Sequence, residues 1–145
     1  LWALLSLAGK RGRDAVLLTL RRFPNWGYGH KWLTNFELER SNSELAYSSA
    51  LAFKKLVGGV EAEILLARAM LLGRDAKSAK SLVDGAEHSS MNLRLRAQLL
   101  ELKAAVQLFD GQLSAAVNSA KEIPPEQRSA EVNALLRHSK DSYGK

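Results

Sequence analysis

Small residues recur through this chain at nearly one spacing, and that recurrence limits its fold more than any other feature. Gly12, Ala46, Ala79 and Ala116 lie 34, 33 and 37 residues apart. One helical turn later come Val16, Ala50, Val83 and Ala120, and a further turn on come Thr19, Phe53, Ala86 and Ile123. In the segments between, Thr34, Ala67 and Ala104 keep a similar offset. Steps of three and four residues define one face of a helix, and two helices approach closely only where the facing side chains are small. The period is that of a helical hairpin, which cannot bury both its faces alone and must stack on its neighbours. The tetrapeptide Gly-Arg-Asp-Ala also occurs twice, at 12–15 and 73–76, close to two such units apart.

The rest of the chain agrees with an all-α fold. No alternating run rich in Val, Ile and Thr appears, whereas Leu, Ala, Glu, Lys, Arg and Gln dominate. Glycines, prolines and short polar runs divide the chain into helices predicted at 1–8, 12–22, 26–40, 43–56, 60–72, 74–87, 92–109, 112–122 and 126–139. The turns are short, so consecutive helices are expected to be antiparallel neighbours. Gly73 and Gly111 are expected in the left-handed conformation that ends a helix, and Pro125 in the first turn of the last one. That helix carries Val132, Leu135 and Leu136 on one side, which suits a cap over the final hairpin. Residues 1–140 are thus expected to form one helical-repeat domain, about four hairpins and a capping helix, followed by a tail at 141–145.

Composition narrows the function classes. There are no cysteines, which excludes disulfides, zinc–thiolate sites and thiol catalysis and fits a reducing compartment. The cytoplasm is the expected location, with the periplasm the alternative if the chain belongs to an exported protein. The first eight residues are apolar except Ser6, too few to span a bilayer, and the positive charge follows them, the wrong side for a secretory signal. The net charge of +6 favours acidic partners, although a charge of this size also serves solubility.

No constellation for catalysis or metal binding is legible. His30, His88 and His138 have no second ligand at metal spacing. Neither a nucleophile elbow nor a phosphate loop occurs. Glu61 and Glu63 stand two apart at a helix start, so they diverge and favour the helix dipole. The chain is therefore expected to be neither an enzyme nor a cofactor binder. Trp26, Tyr28, Trp32 and Phe36 form one dense aromatic cluster, readable either as a contact between the first two hairpins or as a ledge that grips a peptide. Basic residues are spread in small groups along the chain. A nucleic-acid reader would need them on one face.

The periodic residues resemble the tetratricopeptide repeat, a helix–turn–helix unit. Leu33-Thr34 and Leu66-Ala67 match the Leu-small pair of its first helix, Ala46, Ala79 and Ala116 the first Ala of its second, Ala86 the last Ala, and Pro24 its terminal Pro. Phe53 and Ile123 replace that last Ala, Lys103 replaces a Leu, and Gly58 and Met91 replace Pro. The likeness runs over 9–125 and implies a right-handed superhelix that binds a partner's segment along its concave side, as a non-catalytic scaffold. Carried over, the groove positions are Tyr28, Lys31 and Asn35, then Glu61, Ile64 and Arg68, then Gln98, Glu101 and Ala105. Lys31, Asn35, Arg68 and Gln98 would then favour an acidic or C-terminal peptide, with no metal involved. More locally, the run from Arg22 to Leu33 is similar to a junction in some bacterial tetratricopeptide proteins that carry a glycosyltransferase of the O-linked N-acetylglucosamine transferase type, or a sulfotransferase. That likeness implies, as an alternative, a repeat domain of a larger bacterial enzyme, used to present substrate or assemble a complex. A basic nucleic-acid-binding repeat is the second alternative.

Overall fold

The computed structural model describes residues 9–143, with side chains through Lys140. The described residues form eight α-helices and one 3-10 turn, with no strand among them. They are α1 (Lys10–Arg22), α2 (Gly27–Glu39), α3 (Ser43–Leu56), α4 (Val60–Leu72), α5 (Ala76–Ala86), α6 (Leu93–Phe109), α7 (Leu113–Lys121), the 3-10 turn Pro125–Gln127 and α8 (Ala130–Tyr143). The helix expected over 1–8 lies outside the described residues. Contacts gather into two compact units that divide after Asp75. In the first, α1 packs on α2, α2 on α3, α3 on α4, and α2 also touches α4; in the second, α5, α6, α7 and α8 pack in chain order.

The small-residue register predicts burial closely. Gly12, Ala46, Ala79 and Ala116 are all buried, as are Val16, Ala50, Val83 and Ala120, and Thr34, Ala67 and Ala104. Thr19 departs from it. It is exposed, its hydroxyl donates to the Ala15 carbonyl at 2.8 Å, and Leu20 takes the inward place. The inward stripe of α1 is Gly12, Val16 and Leu20, a strict four-residue step, so Thr19 falls to one side of it.

Three helices end in the same backbone motif. After α2, Asn42 N–H donates to Glu37 O and Ser41 N–H to Leu38 O. After α4, Asp75 pairs with Met70 and Arg74 with Leu71, and after α6 Gln112 pairs with Gln107 and Gly111 with Leu108. This crossed pair of bonds is the Schellman turn, which needs a left-handed residue at the second position past the helix. Ser41, Arg74 and Gly111 occupy it, with φ of 56°, 65° and 75°. Gly111 behaves as expected, but Gly73 does not. Because α4 runs to Leu72, Gly73 stays near-helical at φ −79° and Arg74 takes the left-handed place.

The last helix starts later than its sequence suggests. Pro125 opens the 3-10 turn instead of α8, and Arg128 is extended (φ −77°, ψ 132°). Its guanidinium Nε donates to Ile123 O at 2.8 Å and Nη2 to Lys121 O at 3.3 Å, which holds the linker out of helical geometry. The Ser129 hydroxyl then accepts from Val132 N–H at 3.2 Å, the capping bond that lets α8 begin. α8 continues past Lys140 into the segment expected as a tail. Val132, Leu135 and Leu136 close over Ala97, Leu100, Ala120 and Ile123, the capping role expected of them.

Two glycines at the start of α2 meet close neighbours, and only Gly29 is required by that approach. A Cβ at Gly29 would lie 2.4 Å from Cε3 of Trp26, whose ring folds back over the helix, and one at Gly27 would lie 2.4 Å from Cγ2 of Val57. Val57 is exposed and can turn aside, but the Trp26 ring packs against the Val16, Leu20 and Trp32 core. Gly29→Ala gains about 1 kcal/mol of helix propensity and loses about 1–3 kcal/mol by displacing the indole. The expected net result is destabilisation with a red-shifted tryptophan emission; a stabilised variant with unshifted emission would show that the ring is not held there.

Candidate functional site

On α2, Tyr28, Lys31 and Asn35 are spaced three and four apart, and on α4 Glu61, Ile64 and Arg68 repeat that spacing, so each triplet forms one stripe. The two helices touch within the first unit, and Lys31 Nζ binds Glu61 Oε1 across them at 2.7 Å. Tyr28 is 52% exposed, its ring tilted 51° against that of Phe53 at 6.2 Å between centroids. Asn35 is exposed and its Nδ2 donates to Lys31 O at 3.3 Å, which leaves its side-chain oxygen open.

Two of the six residues differ from expectation. Ile64 is 1% exposed; as the apolar middle member of its stripe it turns into the core and offers no contact surface. Lys31 is already neutralised by Glu61, so it is not a free cation for a partner's carboxylate. Arg68 remains: it is half-buried and has no ion-pair partner among the described residues. Nothing local in the sequence announces the Lys31–Glu61 bridge, because its partners are separated by a whole hairpin.

The third row belongs to the second unit and is built differently. Gln98, Glu101 and Ala105 are half-buried on α6. Glu101 Oε1 accepts from Ser129 Oγ at 2.8 Å, and the same Ser129 oxygen caps α8. Glu101 therefore ties the capping helix to α6. The aromatic cluster also divides. Trp32 is buried, stacks on Phe36 at 5.2 Å and joins the α1–α2 core with Trp26, while the guanidinium of Arg40 lies 4.3 Å above the Phe36 ring. Tyr28 alone among the four is exposed.

The histidines hold no chemistry together. His30 bonds Pro24 O through Nε2 at 3.0 Å, and His88 and His138 are exposed on separate segments. Among the described residues no group of three or more His, Asp or Glu side chains is placed to hold a metal ion, and no helix is long and apolar enough to cross a membrane. No protein-family model, curated protein or solved structure matches this chain.

Proposed function

We propose that this chain is a helical-repeat scaffold of the tetratricopeptide type that holds an acidic, extended segment of a protein partner against α2 and α4. The observation that carries this reading is Arg68, a half-buried residue with no ion pair among the described residues, on a helix in contact with the one that exposes Tyr28. A guanidinium without an ion pair binds carboxylate with a fork of charge-assisted hydrogen bonds. Tyr28 adds a ring of low conformational entropy, backed by Phe53, and Asn35 an open amide oxygen for a peptide N–H. The repeated burial register and the three matching turns support the repeat assignment.

The test is selection of peptides on the immobilised protein from a random displayed library, followed by affinity measurement. Enriched peptides should carry Asp, Glu or a free C-terminal carboxylate. Arg68→Glu should weaken them by about tenfold or more, the worth of one charge-assisted contact, and Tyr28→Ala should weaken them less. Lys31→Gln should have a small effect, since Glu61 already holds that charge. A library that yields no enriched sequence, or peptides indifferent to Arg68→Glu, would refute the proposal.

A further inference from the structure

A second candidate site, independent of the first, lies at the other end of the chain. A cleft of about 450 Å³ opens between the C-terminal end of α7, the proline linker and α8. Lys121, Arg128, Arg137 and Lys140 line it together with Asn133, Leu136 and Ser139, and no carboxylate does among the described residues. Asn133, Arg137 and Lys140 are spaced four and three apart on α8, so one stripe of that helix faces the cleft, while Glu131 falls on the opposite side. Arg128 is pinned by its bonds to Ile123 O and Lys121 O, so one cation is already ordered before any ligand arrives, and its ordering adds no entropic penalty to binding.

We propose that this cleft binds a small soluble anion carrying two phosphate groups. The volume is that of a small-molecule site. Four cations with no counter-charge among the described lining residues match two phosphates, each of roughly −1.5 to −2 near neutral pH, whereas a dicarboxylate would leave half of them unmatched. Among the described residues no aromatic side chain lines the cleft to stack a nucleobase, so the phosphates themselves supply the recognition. Asn133 and Ser139 add uncharged polar groups that suit phosphate oxygens.

Calorimetric titration of the whole chain with sodium pyrophosphate, at ionic strength held constant with chloride, tests this directly. Saturable one-to-one binding is expected, at least about tenfold tighter than the dicarboxylate succinate under the same conditions, as the difference in charge count implies. The double variant Arg137→Gln/Lys140→Gln should bind about tenfold more weakly. Both residues are exposed, and its helical circular dichroism should match the parent. Arg128 is left intact because it holds the linker carbonyls. Asn133→Asp, which places a carboxylate in the cleft at an exposed helical position, should weaken binding by a similar factor and serves if the double variant unfolds. Absence of saturable binding, succinate bound as tightly as pyrophosphate, or affinity unchanged in the variants would each overturn the assignment.

Discussion

Phe53→Ala is expected to destabilise the first unit by about 3–5 kcal/mol, a large part of the roughly 5–15 kcal/mol that holds an ordinary domain folded. Phe53 is 1% exposed and packs with Ala62, Leu65 and Leu38. In α3 the inward residues that precede it, Ala46 and Ala50, are fully buried and have no side chain to extend into the space a lost ring would leave. The cavity therefore persists, and the cavity term adds to the lost transfer energy. The Tyr28 ring also loses its backing, so peptide affinity should fall together with stability. Urea unfolding followed by tryptophan fluorescence reads this unit, because Trp26 and Trp32 both lie in it. The midpoint should drop with the slope unchanged. Thr19→Ala is the control, at the same place in the repeat register but exposed, with an expected change within about 0.5 kcal/mol. If the two variants unfold at similar urea concentrations, the register does not govern burial.

That control also marks how far the fold is legible in the sequence. Positions such as Ala46, Ala79 and Ala116 predict their own burial because a helix contact admits only small side chains there, whatever the rest of the chain does. Helix limits are legible for the same local reason, since glycines, prolines and polar turns interrupt hydrogen-bonded backbone. The exceptions are places where one residue's preference yields to its neighbours. At Gly73 the end of α4 at Leu72 fixes the phase of the Schellman turn, and Arg74 accepts the left-handed conformation in place of the adjacent glycine. At Pro125 the helix start expected of a proline gives way to a 3-10 turn, because Arg128 is drawn back to the carbonyls that end α7.

The candidate site is less legible, and for a different reason. Spacing alone places Tyr28, Lys31 and Asn35 on one stripe and Glu61, Ile64 and Arg68 on another. It does not say which members of a stripe turn inward, and Ile64 does. Nor does it say which charges cancel, since the Lys31–Glu61 bridge joins residues a hairpin apart. Arg68 stands out only when both facts are known. The same holds for Lys121, Arg128, Arg137 and Lys140. In sequence they are scattered cations among glutamates, and the fold of the proline linker gathers four of them around one cleft.

Arg13→Ala should be far more damaging than its position near the surface suggests. Arg13 Nε binds Glu37 Oε1 at 2.8 Å between α1 and α2, with the arginine side chain 31% exposed and the glutamate 5%. Removing the arginine leaves a carboxylate enclosed without a partner, which for a fully buried pair costs about 3–5 kcal/mol. Partial exposure of Arg13 lets water soften this, so about 2 kcal/mol is expected. Glu37→Leu breaks the same bond from the other side, yet the released guanidinium can reach solvent and the leucine fills an enclosed space, so its expected cost stays below about 1 kcal/mol. The double variant should then recover most of the loss caused by Arg13→Ala, because no buried charge remains. Urea midpoints for the four proteins test this through the order of the single variants. Equal losses for Arg13→Ala and Glu37→Leu would mean that the bond itself, rather than the enclosed carboxylate, sets the energy.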